Sequence, residues 1–363
     1  MGGAAKLRIG VIGAGNFVAV RHAPSLAKNE RATLTALCRR DHRKLQLLQK
    51  KYRVSHGYTD WRQMLDECEL DAVLVATPHN LHAEPTIAAL ERGLHVLVEK
   101  PLANQGVDAQ AMCAAAEAAD RVLMVAYNNR FHSGWRAAKA AIDAGELGTI
   151  RQVSQTVSMY RREVWEEKRV PDFAVEHLRR DSGMPEEFFD WDLSANWISD
   201  RIANGGGTFN NAGSHNTDLA LWLAGAAPTQ VMAVTDRLDR EVEYFISVLA
   251  RLDNDVQLSM VFADAIPDGN VDRLVVIGDL GFLDSSGSAD IRIHAKGHTR
   301  AIDGHGHDPS PVDRFVESVL DGAPNPSPGR EAANTVFLTQ AAYESAREAR
   351  VVAVAPPHRE IAE

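Results

Sequence analysis

The first third of the chain alternates short apolar runs with amphipathic ones. The β-branched runs LRIGVIG, ATLTALC, DAVLVATP, HVLVEKP and VLMVAY predict buried strands. The segments between them, such as HRKLQLLQKKY and HAEPTIAALERG, carry apolar residues at helical spacing. In the first such segment, FVAVRHAPSLAKN, Pro24 should bend or end the helix. The alternation predicts right-handed βαβ units and a parallel sheet with helices on both faces.

The pattern changes after about residue 128. The stretch TIRQVSQTVSMY alternates like a half-buried strand, and residues 230–293 are mostly further apolar runs with short connections. Consecutive strands joined by short loops predict an antiparallel sheet. Two helical segments, VDRFVESVLDG and EAANTVFLTQAAYESAREA, follow near the end of the sequence. The pattern therefore predicts two structural units of different kind.

The composition is that of an ordinary globular protein. The chain has 363 residues, of which 45% are hydrophobic and 24% charged, and this length favours two domains. A net charge of -10 argues against nucleic acid or an anionic membrane surface as the main partner. The three cysteines follow no CxxC pattern, and the sequence shows neither a signal-peptide pattern nor an apolar run of membrane-spanning length. We therefore expect a cytoplasmic protein without a disulfide framework.

A glycine-rich turn follows the first predicted strand. In GVIGAGNF, Gly13 suits a tight turn and Gly15 allows a pyrophosphate to approach the backbone. Asn16 and Phe17 open the helix whose N-terminus would face that pyrophosphate. The third small residue of such turns is absent, because Val18 stands there. Two glycines alone also occur in purely structural turns, but the surrounding βαβ series favours dinucleotide binding.

The end of the second predicted strand bears on the choice of cofactor. Sites for NAD carry an acidic residue there, which binds the ribose 2′-hydroxyl. This chain has Arg39 and Arg40 instead, and two arginines attract the 2′-phosphate of NADP. The alternative is that both arginines are solvated and that Asp41 reaches back to bind NAD. The charge pattern favours NADP over NAD.

The stretch ATPHNLHAEPTIAALERGLHVLVEKPLA resembles the signature of the Gfo/Idh/MocA family, which includes glucose–fructose oxidoreductase and inositol dehydrogenase. Further similarity lies in YTDWRQML, NNRFHSGW, GELGTI and GGGTFNNAGSHNTD, so the resemblance covers nearly the whole chain. The residues that carry the signature are Thr77, Pro78, His79, His82, Glu99, Lys100 and Pro101.

The resemblance implies an α/β Rossmann domain over residues 1–127 and an α+β domain with an open, mainly antiparallel β-sheet over residues 128–363. The last helices can pack back on the first domain, and the outer face of the sheet implies a homo-oligomer, a dimer or tetramer. It also implies hydride transfer between a secondary alcohol of a sugar, sugar derivative or cyclitol and NADP or NAD. Besides the glycine turn, Arg39 and Arg40, the implied cofactor-binding residues are Thr77, Pro78, His79, His82, Glu99, Lys100 and Asn128.

Two charged residues and a proline follow the predicted strand HVLV. Parallel strands deliver their carboxyl ends to the crevice where ligands bind, so Glu99 and Lys100 leave the core beside that crevice. An ammonium there can bind the reacting oxygen, and we expect Lys100 to be the proton donor or acceptor. Glu99 either holds the lysine or contacts the cofactor, and Pro101 fixes the chain direction, for which a cis bond is available. The alternative is a surface Glu–Lys pair that ends a strand.

The segment GGGTFNNAGSHNTD supplies the other half of the expected site. Asn211 and His215 are four residues apart, so one helical turn places them on the same side, together with Asp218. By resemblance, His215 is the acid/base group or a partner of a substrate hydroxyl. Many family members carry an aspartate where this chain has Asn211, which makes Lys100 the favoured proton acceptor. The alternative for His215 is a structural histidine at a helix start.

Two further residues are candidates for substrate binding. Arg130, in NNRF, either contacts substrate or pins the domains together. Tyr160 begins a segment, extending to Trp197, that is rich in Arg, Glu, Trp and Phe. That segment is either a substrate lid or an insertion that packs on a neighbouring subunit.

Four histidines raise the question of a metal site. They lie in a Gly-rich polar stretch with neither a cysteine nor a helix to set ligand geometry, so we expect a solvated loop and no metal. These residues are His294, His298, His305 and His307.

Two other functions are compatible with the same residues. A glycosidase or lyase could oxidise a sugar hydroxyl transiently with a tightly held NAD, and it would use the same lysine. A non-catalytic sugar or NAD(P) sensor could keep the fold, although an intact Lys100 and His215 argue against it.

Overall fold

The computed structural model describes residues 6–159, 182–189, 201–238, 240–264, 270–304 and 308–354, with the single positions 167, 175 and 180. Its first sheet has six parallel strands in the order β3-β2-β1-β4-β5-β6. The strands are β1 (Leu7–Ile12), β2 (Ala32–Cys38), β3 (His56–Tyr58), β4 (Ala72–Val75), β5 (His95–Val98) and β6 (Leu123–Val125).

Helices lie between these strands, as the alternation predicts. The strand order reverses between β1 and β4, which is the switch point where doubly wound sheets bind dinucleotides. The helices are α1 (Ala23–Lys28), α2 (His42–Tyr52), α3 (Trp61–Glu67), α4 (Ala83–Glu91) and α5 (Gly106–Ala119).

The first helix changes its geometry just before Pro24, where a proline is expected to disturb it. A π-helical turn, Val18–His22, precedes it, and the amide of Ala23 bonds to the carbonyl of Val18. Helix α1 then begins with Pro24 in its first turn. Residues 16–28 are helical throughout, so the wider π-helical turn accommodates Pro24 and the helix continues through it. His22, the last residue of the π-helical turn, is buried.

The second sheet has nine strands in the order β14-β13-β12-β11-β7-β10-β9-β8-β15. Among the described strands of this sheet, only β7 and β10 pair in parallel, so the sheet is mainly antiparallel and the predicted fold class is confirmed. Its strands are β7 (Ile150–Ser158), β8 (Pro228–Asp236), β9 (Phe245–Leu252), β10 (Gln257–Ala263), β11 (Val271–Gly278), β12 (Gly281–Ser286), β13 (Ile291–Ala295), β14 (His298–Ala301) and β15 (Val352–Ala353).

The two faces of this sheet differ. Along β8 to β12, alternate residues are buried, and helices of the same chain cover that face. The described helices of this half are α6 (Ser133–Asp143), Arg201–Asn204, Thr208–Asn211, Gly213–Ala224, Pro311–Asp321 and Gly329–Glu348. The outer face instead exposes apolar side chains, namely Met232, Val234, Leu249, Val261, Ile277 and Phe282.

The C-terminal helices return to the first sheet. The helix Gly329–Glu348 packs against α5, and the amide of Val125 in β6 bonds to the carbonyl of Ser327 at 2.9 Å. The expected domain boundary at residue 127 falls just after β6, and it stays a prediction. Among the described residues, no helix is both long and apolar enough to cross a membrane.

Candidate functional site

The glycine turn lies at the carboxyl end of β1, beside the switch point. Gly13 has φ +85°, and a Cβ there would lie 2.6 Å from the carbonyl oxygen of Ala76. Its amide donates to the carbonyl of Cys38 at 3.0 Å. The turn is therefore packed between the ends of β2 and β4, and only glycine fits its conformation and space.

Gly15 and the two residues after it leave room for a ligand. A Cβ on Gly15 would have its nearest neighbour, the carbonyl oxygen of Gly13, at 3.8 Å. The Oδ1 atom of Asn16 is buried without a hydrogen-bond partner, and the Phe17 side chain is 43% exposed. Open backbone, an unused buried acceptor and an exposed aromatic side chain fit the dinucleotide that the sequence predicts for this turn.

The three charged side chains after β2, those of Arg39, Arg40 and Asp41, make different contacts. The Nη1 atom of Arg39 donates to the carbonyl of Ala14 in the glycine turn at 2.9 Å, and its guanidinium lies 4.8 Å above the Phe188 ring. Asp41 caps α2 by accepting from the amide of Lys44 at 3.0 Å, and this bond lowers the pKa of Asp41. Arg40 is exposed. Arg39 is therefore the charged side chain held against the glycine turn.

A buried histidine joins the loops after β4 and β5. The His82 ring nitrogens lie 2.9 Å from the carbonyl oxygens of Thr77 and Pro101. Burial lowers the pKa of His82, so the ring is neutral and donates to one of the two carbonyls. Pro78 precedes a short 3₁₀ turn, His79–Leu81, and the loop is therefore held from both ends.

His79 extends this loop to the second half of the chain. It is buried, and its Nδ1 atom lies 3.2 Å from the carbonyl oxygen of Asn204. Burial, and then the charge of Lys100, hold its pKa well below the ordinary value, so the ring is neutral. His79 thus links the loop after β4 to the short helix Arg201–Asn204.

Lys100 spans the gap between the two halves. It follows β5, and its peptide bond to Pro101 is cis. Its Nζ atom lies 3.3 Å from the carbonyl oxygen of Asn211 and 3.5 Å from the Asn211 Oδ1 atom. The structure therefore brings together two of the residues expected to act in catalysis.

His215 lies one turn further along, in the helix Gly213–Ala224. Its ring is half-buried and meets the Tyr127 ring edge-on, with centroids 6.0 Å apart. The helix that carries His215 begins two residues after Asn211, the contact of Lys100. Asp218 does not lie with these residues, because it is completely buried against Arg130.

Arg130 makes contacts within the protein through all three guanidinium nitrogens. Its Nε and Nη2 atoms each donate to Asp218 at 2.8 Å, and Nη1 bonds to Glu331 and to the carbonyl of Pro326. Burial acts to lower the pKa of Arg130, but the two carboxylates outweigh it and the pKa is raised. These contacts favour the role of a domain pin over that of a substrate contact.

Two carboxylates make contacts that the sequence pattern does not predict. For Glu99 the partner was missed, and Glu243 was not singled out at all. Glu99 accepts from the Nε2 atom of His22 at 2.6 Å, a residue that nothing in the pattern singled out. Glu243 accepts from the amides of Gly207 and Phe209 at 2.9 and 3.0 Å, and from the Tyr343 hydroxyl at 2.8 Å. Glu243 thereby fixes the glycine segment that carries Asn211.

The remaining candidates lie at the edge of the site or outside the described ranges. Asn128 is exposed at the start of a 3₁₀ turn after β6. Tyr160 and most of the segment up to Trp197 lie outside the described residues. The described part, Ser182–Phe189, packs its Met184, Phe188 and Phe189 side chains into the core cluster around β1 and α2.

The expected absence of a metal site concerns four histidines. His294 stacks on Phe282 at 4.3 Å and bonds to Thr299, while His298 begins the neighbouring strand β14. Within the described ranges, no group of three or more His, Cys, Asp or Glu side chains could hold a metal ion. His305 and His307 lie outside those ranges.

Comparison of the sequence with protein families gives two matches. Residues 7–127 match the family described as "Oxidoreductase family, NAD-binding Rossmann fold", and residues 135–284 match the "GFO/IDH/MocA C-terminal domain". A myo-inositol 2-dehydrogenase of Thermotoga maritima is 32% identical over 142 residues, which cover 39% of this chain and 42% of that protein. A levoglucosan dehydrogenase of Pseudarthrobacter phenanthrenivorans is 29% identical over 180 residues, 48% of this chain and 38% of that protein. The chain thus spans about half the length, or less, of these curated relatives.

Solved structures resemble the fold over almost its whole length. An aldose-aldose oxidoreductase from Caulobacter crescentus, complexed with glycerol, has a TM-score of 0.78 and 26% identity, covering 96% of this chain and 99% of that chain. The WlbA dehydrogenase from Chromobacterium violaceum, in complex with NADH and UDP-GlcNAcA, also has a TM-score of 0.78 and 26% identity, covering 97% of each chain.

Proposed function

Since this chain belongs to the GFO/IDH/MocA family of oxidoreductases, we propose that it is an NAD(P)-dependent dehydrogenase acting on a secondary alcohol. The substrate class is a sugar, a sugar derivative or a cyclitol, by analogy with the inositol and levoglucosan dehydrogenases. The observation that carries the proposal is the Lys100 amine, which lies at the end of β5 and bonds across the crevice to Asn211.

Lys100 is the group that moves the proton. A bound nicotinamide supplies the hydride acceptor when the alcohol is oxidised. The neutral Lys100 amine accepts the hydroxyl proton, and in the opposite direction the ammonium returns it. As the proton moves to the amine, the ammonium that forms stabilises alkoxide character on the substrate oxygen.

Asn211 and His215 orient the substrate from the second half of the chain. The Asn211 side chain cannot accept a proton, but its amide can donate to and accept from a substrate hydroxyl. The His215 imidazole can donate or accept a hydrogen bond, which suits a second acid/base group. Asn211 is already in contact with Lys100, so it ties the position of the bound alcohol to that of the amine.

We propose NADP as the preferred cofactor. The residues that would hold it are Gly13, Gly15, Asn16, Phe17 and Arg39, and Asp41 is already engaged as a helix cap. Arg39 presents a guanidinium beside the glycine turn, where a 2′-phosphate gains a charge-assisted bond. The signature loop from Thr77 to His82 and the exposed Asn128 complete the cofactor side of the proposed site.

We also propose a homo-oligomer, formed through the outer face of the second sheet. Met232 lies opposite Leu249 on neighbouring strands of that face, and Ile277 lies opposite Phe282. All four side chains are exposed, and an apolar sheet face is typical of a subunit interface. Light scattering should give a dimer or tetramer, and a monomer at micromolar concentration would exclude this interface.

The function is tested by cofactor binding followed by turnover. Purified protein is titrated with NADPH and NADH by fluorescence, and then assayed for reduced cofactor with a panel of sugars and cyclitols. We expect binding, net reduction with at least one member, and loss of turnover by several orders of magnitude in Lys100→Ala with nearly unchanged cofactor affinity.

The controls separate the alternatives. Binding without net reduction, but with cleavage of a glycoside, would favour transient oxidation. Binding with no chemistry on any substrate would favour a sensor. Unchanged turnover in Lys100→Ala would remove the lysine from the mechanism.

A further inference from the structure

The Glu99 carboxylate connects the proposed catalytic lysine to the helix after the glycine turn. Its Oε1 atom accepts from the His22 Nε2 atom at 2.6 Å, and its Oε2 atom accepts from the Lys100 amide at 3.0 Å. His22 is 3% exposed and Glu99 is 9% exposed, so water competes little for this carboxylate. Both oxygens are therefore held by groups of the protein.

His22 ends the π-helical turn that begins three residues after Gly15. Its ring also meets the Phe17 ring edge-on, with centroids 5.4 Å apart. Phe17 and Gly15 belong to the segment that fits a dinucleotide. A series of direct contacts thus connects Phe17, beside the glycine turn, through His22 and Glu99 to the backbone of Lys100.

We propose that His22 is a positioning residue, which holds Glu99 as an oriented anion so that its charge acts on the Lys100 amine. By its place after the glycine turn, His22 also couples the cofactor-binding segment to the group that moves the proton. This inference rests on the proposed function only for the catalytic meaning of Lys100. The coupling between His22, Glu99 and Lys100 can be measured without substrate.

The charge balance at Glu99 supports this role. Burial acts to raise the pKa of Glu99, but the hydrogen bond and charge of His22, followed by the charge of Lys100, outweigh it and the pKa is lowered. Without His22, the Glu99 carboxylate loses its main donor and is no longer held in its orientation, so its negative charge stabilises the ammonium of Lys100 less.

Other titratable groups also act on Glu99. His82, from the loop after β4, is fully buried, and burial lowers its pKa. Tyr127, after β6, has a pKa well above its ordinary value because of burial. Both are neutral near neutral pH, so among these neighbours His22 and Lys100 are the ones that set the charge of Glu99.

The test measures the protonation of Lys100 directly. The protein is pulsed with acetic anhydride across a pH series, and the acetylation of Lys100 is followed by mass spectrometry. In His22→Leu, we expect the midpoint of Lys100 ionisation to fall by about one pH unit, which makes the amine about tenfold more reactive below the midpoint. His22→Gln should stay close to the wild type, because its amide can still donate to Glu99. His42→Leu, which removes an exposed histidine of α2, is the matched control and should show no shift.

A second pair of variants guards against misfolding. Glu99→Gln should shift Lys100 as His22→Leu does, and His22→Leu added to Glu99→Gln should cause no further shift. An unchanged midpoint in His22→Leu, or full additivity of the two substitutions, would overturn the proposal. NADPH and NADH titrations on the same variants distinguish a failure of the proposed function from a failure of the proposed role of His22. A wild type that binds neither would refute the proposed function, while the Lys100 titration would still decide the role of His22.

Discussion

Replacing Arg130 by methionine should destabilise the protein rather than impair only substrate binding. Arg130 is 2% exposed and Asp218 is 0% exposed, and two bonds of 2.8 Å join them. Methionine keeps much of the side-chain volume but leaves the Asp218 carboxylate buried without its charge partner. Removing one member of such a pair costs about 3–5 kcal/mol.

The other contacts of Arg130 add little to this cost. Glu331 is largely exposed, so water can replace that ion pair. The guanidinium also lies 5.7 Å from the Trp222 ring, a contact that methionine partly keeps. In a folding unit of about 200 residues, each kcal/mol lowers the melting temperature by about 2–4 °C, so we expect a fall of about 10 °C.

Thermal unfolding followed by circular dichroism measures this effect. Asp218→Leu combined with Arg130→Met should recover a large part of the loss, because replacing both partners by apolar groups removes the buried charge. Glu331→Gln, the matched control, should shift the melting temperature by no more than about 2 °C. If Arg130→Met melted at the wild-type temperature and instead raised KM, Arg130 would be a substrate contact and the pin would be refuted.

The other predictions concern the cofactor turn and the glycine segment. Gly13→Ala should destabilise the protein, because its Cβ would lie 2.6 Å from a carbonyl oxygen, whereas Gly15→Ala should melt normally but bind NADPH more weakly in a fluorescence titration. Arg39→Ala should weaken NADPH by about tenfold or more and leave NADH nearly unchanged; equal losses would refute a 2′-phosphate contact. Burial raises the pKa of Glu243 despite its three donors. Its contribution to the free energy of unfolding is therefore complete below the unfolded-state pKa, and it is lost as the pH rises through the folded-state pKa. Glu243→Gln should remove that decline in urea melts at about pH 5 and about pH 7, and a parallel decline in the variant would contradict this.

The alternation of apolar runs was sufficient to predict five of the six strands of the first sheet. These five are short, continuous and apolar, so local pattern and global topology agree there. The edge strand β3 (His56–Tyr58) was missed, because its three residues include no β-branched side chain. The expectation of a disturbed helix at Pro24 agrees with the π-helical turn just before α1, but the pattern did not predict the form of that disturbance. Neither that turn nor the parallel pairing of β7 with β10 has a signal in the apolar spacing.

Partners far apart in sequence were also out of reach. His22 and Glu99 meet across 77 positions, and Glu243 meets the amide of Gly207 across 36. A histidine or glutamate among ordinary neighbours carries no mark of burial, so the sequence indicates the charged group but not its counter-charge. Arg130 was likewise singled out by its motif, and only the fold revealed Asp218 as its partner.

The central claim is that the Lys100 amine faces the reacting end of the bound cofactor. A crystal structure of the chain with NADPH tests it most directly. The account predicts the nicotinamide in the crevice between Lys100 and Asn211, with room for one secondary alcohol between the amine and nicotinamide C4. A Lys100 amine directed into bulk solvent, far from the ring, would contradict it.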